Sequence, residues 1–436
     1  MMFQQLKGRN AKRSAFWLFL IGCFSMTQIR IGAKIGISEI ACLIAMPVIL
    51  FKDYRLYSRD GVAMYFNLLI FWMIGAIFSD YYNNSEFEQF IRGFSVPLLL
   101  LASSVCIYHF LRGYTENLKW LIFGIAVSSV ISIFVFQRGV AGDIADGGNM
   151  EEAIEKVIGY KLFWSNNIKT CLLLPIKTMY LKLSNFYVVP AMISVAVVNA
   201  MSGGRSAFAV SVLAFFVVII GGKRVDSMRR IKRYLPILFL FMIGAMVLVK
   251  TVYTYAASHG YLSESEIVKY EKQTTQGSDI KSLMIAGRGD FFIGLFAAID
   301  KPFIGHGSQA LDHFGYEEEY LHKYGTPNEI ARYLKVRGQG YLRTIRSHSH
   351  VICYWMWHGI AGLAFWMYIL HLVVQTFRRR MDLIPAWFGF LAIAMSDFLW
   401  DYFFSPLGLR VSECTLFCAL LLLVRMENLK KKGIML

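Results

Sequence analysis

The chain has 436 residues, 56% of them hydrophobic and only 17% charged, with a mean hydropathy of +0.48. Soluble proteins carry about a quarter charged residues, so this composition excludes a water-soluble globular protein and reads as an integral membrane protein. The formal charge of +16 is scattered in small clusters between apolar stretches, the pattern of membrane topology rather than of nucleic-acid binding.

A spanning helix needs about 20 mostly apolar residues. In chain order this marks about twelve segments: 14–31, 34–51, 61–79, 93–111, 117–137, 163–181, 185–201, 205–222, 233–254, 348–375, 383–401 and 408–425. Lys7, Arg9, Lys12 and Arg13 precede the first, and no small-residue cleavage site follows cleanly, so it reads as an uncleaved span. Asn166, Asn167 and Lys169 interrupt the start of the sixth.

Basic residues occupy every second connection and both ends. They are Lys52, Arg55 and Arg59; Arg112 and Lys119; Lys177 and Lys182; Lys223 to Arg233; Arg378 to Arg380; and Arg425 to Lys432. The positive-inside rule assigns these to the cytoplasm. The alternate connections, such as "SDYYNNSEFEQF" and "DIADGGNMEEAIEK", are acidic or mixed and fall outside. Cys23, Cys42, Cys106, Cys171, Cys353, Cys414 and Cys418 lie almost entirely in apolar stretches without a CxxC pair. They read as buried thiols rather than a disulfide frame or zinc site.

The predicted organisation is an all-α membrane protein. Nine spans occupy 1–254, a large outer loop fills 255–346, and three spans with a basic tail occupy 347–436. A structureless loop of that length is unusual, so an ordered cap is expected. Within it "GRGDFFIGLFAAIDKPFIGHG" predicts a short amphipathic helix ended by Pro302. Arg288, Phe292, Leu295 and Ile299 form one stripe, suited to a helix at the membrane surface. Glu317, Glu318 and Glu319 read as a solvated face.

Three positions converge on the outer face. Arg205 in "MSGGRSAF" opens the eighth span, Arg288 opens the amphipathic helix, and His348 stands where the loop re-enters the membrane, after Arg343 and Arg346. Arginine's planar fork matches phosphate oxygens, and a helix N-terminus adds partial positive charge. A neutral His beside such a clamp can take a proton from an attacking hydroxyl. Plainer readings exist for each: Arg205 snorkelling, Arg288 on a solvated face, and His350 and His358 as structural histidines. The HxH pair of His348 and His350 has no third ligand at a metal-binding spacing, so no metal and no cofactor is expected. Asp80 in the third-to-fourth connection is an alternative base. Mid-span acids, the mark of a transporter, are limited to Glu39, Asp397 and Glu413.

Taken together these features resemble the O-antigen polymerase and O-antigen ligase superfamily of bacterial surface-polysaccharide enzymes. The resemblance rests on the span number, the outer loop between the ninth and tenth spans, "SGGRSA", the Arg–helix–Pro–Gly-x-Gly stretch from 287, and His348-Ser349 eleven residues before "GIAG". The family carries His-Asn where this chain has His348-Ser349, and His350 leaves the register open, with the Gly359 spacing favouring His348.

The resemblance implies a GT-C-like membrane glycosyltransferase in the bacterial inner membrane, with its site facing the periplasm and both termini cytoplasmic. Its donor would be an undecaprenyl-diphosphate-linked glycan. His348 would be catalytic and Arg205 and Arg288 would bind the diphosphate; beyond the matched positions, Arg346 of the basic run before His348 is a further diphosphate candidate, and His350, Asp80 and Arg343 are supporting candidates. Expected partners are membrane lipid and a chain-length regulator protein, with no nucleic acid. Polymerase is the first expectation, ligase transfer to lipid A core the second, and a flippase of lipid-linked sugars the third.

Overall fold

The computed structural model describes residues 2–31, 33–134, 251, 255, 259, 289–325, 327–380, 383, 387–405 and 410–433. Arg205, Arg288, Cys171 and the expected spans at 163–181, 185–201, 205–222 and nearly all of 233–254 lie outside the described residues.

The described chain is predominantly helical. Its elements are α1 (Met2–Cys23), β1 (Gln28–Ile31), β2 (Ala33–Gly36), α2 (Ile37–Asp60), α3 (Ala63–Tyr82), α4 (Phe87–Arg112) and α5 (Leu118–Phe134). After the undescribed stretch come α6 (Gly289–Asp300), α7 (Tyr316–Tyr324), α8 (Pro327–Gly338), α9 (His350–Arg379), α10 (Phe388–Phe404) and α11 (Arg410–Lys431). Three of these, α3, α4 and α9, are long and apolar enough to cross a membrane. At 1.5 Å per residue they extend about 30, 39 and 45 Å, against a hydrocarbon core of about 30 Å.

The first expected span is redrawn. Its helix starts at Met2 and stops at Cys23, and residues 28–36 form an antiparallel hairpin pairing Gln28 with Gly36 and Arg30 with Lys34. "QIRI" alternates polar and apolar residues, a strand period rather than a helical one. The next helix therefore runs 37–60 instead of 34–51. Glu39 in its first turn accepts the Gly36 amide at 2.6 Å and takes Arg410 of α11 through both oxygens, at 2.7 and 2.9 Å. One of the three mid-span acids is thus a paired structural group.

The core is aromatic. Trp72 of α3 is fully buried and stacks on Phe365 of α9 at 5.1 Å. Tyr57, Phe66 and Tyr108 join α2, α3 and α4. Outside this core large apolar residues stay exposed, Ile44 at 74% and Phe51 at 92%, as suits a surface facing lipid.

The charged ends of the helices sort into two groups. At one end Asp60 closes α2 and receives Arg112 of α4 at 2.5 Å and Arg425 of α11 at 3.2 Å. Arg380, just past α9, pairs there with Glu427 of α11 at 2.7 Å. At the opposite end the close of α3, the start of α4 and the start of α9 meet the 289–349 segment. The described basic clusters at 59, 112, 378–380 and 425–432 share the first end, the grouping the charge pattern predicts.

Candidate active site

Helix α9 is broken at the motif "HGIAG". His358 (φ −120°, ψ 15°) and Gly359 (φ 59°, ψ −145°) leave helical geometry, and the second value demands glycine. A Cβ on Gly359 would also stand 2.0 Å from the Phe303 carbonyl. The break frees backbone groups that must find partners away from water. The turn after α6 supplies them. His306 and Gly307 amides donate to the Met356 and Trp357 carbonyls at 2.8 and 3.0 Å, and the Ile360 amide donates to Phe303 O at 3.1 Å. Ser79 of α3 also donates to Trp357 O at 2.7 Å. The "GHG" turn, which sequence gave only as a turn signal, is therefore a plug seated in a broken helix, with Gly305 and Gly307 both at positive φ. The His306 and Gly307 amides are engaged and do not form an anion cradle.

Beside the plug runs a buried chain of four side chains. Trp72 donates Nε1–H to His358 Nδ1 at 2.8 Å, which fixes the proton of the neutral ring on Nε2. That Nε2–H donates to Ser308 Oγ at 2.9 Å, and Ser308 donates its hydroxyl to Asp80 Oδ2 at 2.7 Å. The Ser308 amide adds 2.6 Å to Asp80 Oδ1. The direction excludes a nucleophilic triad, in which the serine hydroxyl donates its hydrogen bond to histidine and the histidine N–H donates to the carboxylate. Here the serine points the other way and holds α3, the plug and α9 together. Asp80, the alternative base, is buried with both oxygens engaged in this chain.

His348 occupies a different environment. Its side chain is 60% exposed, and Nε2 lies 3.4 Å from Asp290 Oδ2 in the first turn of α6. Two features bring these residues together. The face of α6 buried in the protein is Ile293, Gly294, Ala297 and Ala298, while Ile299 of the expected membrane-surface stripe is 58% exposed. Small residues let the helix approach α9 closely, and a Cβ on Gly294 would meet Ser347 at 2.7 Å. Ser349 then caps α9, accepting the Ile352 amide at 3.3 Å and donating to Tyr402 O of α10 at 2.8 Å. His348 is thereby held at the rim between α6 and α9, next to the helix start that Arg288 precedes in the sequence.

The other predicted residues are placed as follows. Arg346 is exposed two residues from His348. Arg343 lies 3.3 Å from Glu317, which is buried. His350 is fully buried, stacked on Trp366 at 5.0 Å and Phe398 at 6.2 Å, and is not brought beside His348. Among the described residues no three His, Cys, Asp or Glu side chains gather around a common point, and six cysteines are free thiols.

No family model, no curated protein and no solved structure matches this chain.

Two parts of the site escape sequence reasoning. Asp290 was within "GRGDFF", and its signal was an acid in the first turn of a helix opened by an arginine. Ser308 carried no signal, since its partners lie 228 and 50 residues away. Of the glutamates at 317–319, read as a solvated face, Glu319 is exposed and Glu317 departs from that reading. Glu317 is buried with Arg343 nearby, and Glu318 pairs with Arg337.

The 301–316 segment has its own polar interior. His306 Nε2 donates to Ala297 O at 2.9 Å, and burial holds this imidazole below its usual range. Tyr316 donates to Asp300 at 2.6 Å, and burial together with that bond raises its phenol. Asp312 accepts the amides of Gly315, Tyr316 and Glu317 at 2.8–2.9 Å and so starts α7.

Proposed function

We propose that this protein is a membrane glycosyltransferase that joins undecaprenyl-diphosphate-linked oligosaccharides into a surface polysaccharide at the outer face of the bacterial inner membrane. The observation that carries the reading is the exposed His348 beside Asp290 at the start of α6, 3.4 Å apart. Asp290 faces Nε2 and leaves Nδ1 to accept the proton of an acceptor hydroxyl. The deprotonated oxygen attacks the anomeric carbon of the donor sugar, the bond to the diphosphate oxygen breaks, and the diphosphate departs with the electron pair. Displacement of this kind inverts the anomeric centre. Arg288, Arg205 and Arg346 neutralise the leaving diphosphate, and the Asp290 carboxylate stabilises the imidazolium that forms.

No metal is invoked, because a diphosphate whose charge is met by arginine is already a good leaving group. Ser349 caps α9 where the family carries asparagine, and both residue types are favoured helix caps. The acceptor is a second lipid-linked glycan in a polymerase, working with a chain-length regulator protein, and lipid A core in a ligase.

The broken helix α9 favours one rival, a transporter of lipid-linked sugars, because interrupted helices line many transport sites. Here, however, the break is filled by the 303–308 plug and its hydrogen bonds. The test is to supply purified protein with lipid-diphosphate repeat unit alone, with added lipid A core, and across a sealed vesicle. Ladders from the first support the polymerase, transfer only in the second makes it a ligase, and movement of intact lipid without transfer overturns the enzyme reading.

A further inference from the structure

At the basic end of the helices, remote from His348, α1, α2 and α4 enclose a cavity of about 570 Å³. Its inner wall is apolar, with Ile21, Cys42, Ala45, Ile49 and Phe110, and its mouth carries Asn10, Arg13, His109 and Tyr114. Gly113 at the mouth has open space where a side chain would stand. The lining follows α1 from Asn10 to Ile21, about 16 Å of helix rise. One leaflet of the hydrocarbon core is about 15 Å deep. Depth, apolar wall and polar rim match one lipid chain with its headgroup at the rim.

The charge of that rim decides the headgroup. Arg13 is exposed, and no carboxylate partner for it is found among the described residues. Of the acids on this side, Glu116, two residues past Tyr114, is exposed, and Asp53 is held by His109 Nδ1 at 2.5 Å. Ser14 is likewise engaged, donating to Phe110 O at 2.5 Å. An exposed guanidinium whose nearby carboxylate is already engaged by another side chain is a match for phosphodiester oxygens.

The geometry points to a structural binding site for an anionic membrane phospholipid in the leaflet at the basic end, its acyl chain between α1, α2 and α4 and its phosphate on Arg13. This site is independent of the proposed glycosyl transfer. It predicts that the protein retains anionic lipid through purification.

Trp17 lines the same cavity and supplies the readout. The full chain in detergent micelles is titrated with dibrominated phosphatidylglycerol or dibrominated phosphatidylcholine, and the Trp17 signal is taken as wild type minus Trp17→Phe. Phosphatidylglycerol is expected to quench Trp17 at about fivefold lower mole fraction than phosphatidylcholine, the size of one basic side chain's attraction to anionic headgroups. Arg13→Gln removes that preference, Arg13→Lys keeps it, and Ala45→Phe, which fills the cavity, abolishes quenching at low mole fraction. Equal quenching by the two lipids, or a preference indifferent to both Arg13→Gln and Ala45→Phe, overturns the proposal and makes Trp17 an ordinary bilayer-facing residue.

Discussion

Replacing Ser308 by alanine removes one hydroxyl and strands two buried partners. His358 Nε2–H loses its acceptor, and the ring cannot turn its proton elsewhere because Trp72 already donates to Nδ1. Asp80 Oδ2 loses its donor, although Oδ1 keeps the Ser308 amide. An unpaired buried donor costs about 1–3 kcal/mol and a hydrogen bond to a charged group contributes about 1.5–3. The seating of the plug in α9 should therefore weaken by about 3 kcal/mol, which raises local opening roughly a hundredfold. Hydrogen exchange of the 303–308 peptide reads this directly, because the His306 and Gly307 amides are protected by the Met356 and Trp357 carbonyls. Asp80→Asn makes a sharper test of direction. Its amide would donate to Ser308 Oγ, which already accepts from His358, and the serine proton would be left without an acceptor. Exchange within about twofold of wild type in both variants would refute the directed chain, since either change breaks it.

Gly294→Val pushes the 346–347 segment off α6, where a Cβ already meets Ser347 at 2.7 Å; turnover should fall about tenfold or more while the protein stays folded, at an overpacking cost of about 1–3 kcal/mol. Asp290→Asn, read by initial rates, should lower turnover by about tenfold, less than the 10²–10⁴ expected for loss of the base itself. Glu39→Ala removes the carboxylate that Arg410, partly buried, holds through two hydrogen bonds, and should destabilise by about 1–3 kcal/mol, whereas Glu39→Leu with Arg410→Met should recover most of that loss in thermal unfolding. The lowered His306 sets a pH dependence. Its unfolded form takes a proton first as pH falls below about 6.5, so the stabilisation is complete above that value and is lost as pH drops toward the folded value. His306→Gln keeps a donor for Ala297 O and should flatten the unfolding temperature between pH 7.5 and 5; an unchanged slope would contradict the assignment.

Much of this architecture is visible in the amino-acid order because bilayer physics writes directly into composition. The apolar runs of α3, α4 and α9, the stop at Pro302 and the clustering of basic residues follow from local rules. What local rules miss are features built from backbone atoms and distant partners. The plug binds α9 through carbonyls exposed by a break, and a carbonyl has no side-chain signature. The apolar stripe of α6 is legible as a membrane-surface face, but its protein-facing side is not, because that side is built from small residues. Close packing against α9 selects Gly294 and Ala297, and leaves Ile299 outside. Gly359 was noticed through its spacing from His348, yet its reason is conformational: only glycine fits the break.

In the proposed reaction His348 removes a proton from an acceptor hydroxyl, and Asp80 holds the plug. The most direct test follows release of undecaprenyl diphosphate from purified lipid-linked repeat unit by wild type, His348→Ala and Asp80→Glu. His348→Ala is expected to lower the rate by about 10²–10⁴-fold with exchange at 303–308 unchanged, and Asp80→Glu to loosen 303–308 with a smaller loss of rate. Full activity in His348→Ala, together with abolished activity in Asp80→Glu and an undisturbed plug, would contradict that reaction and give the carboxylate the role of base.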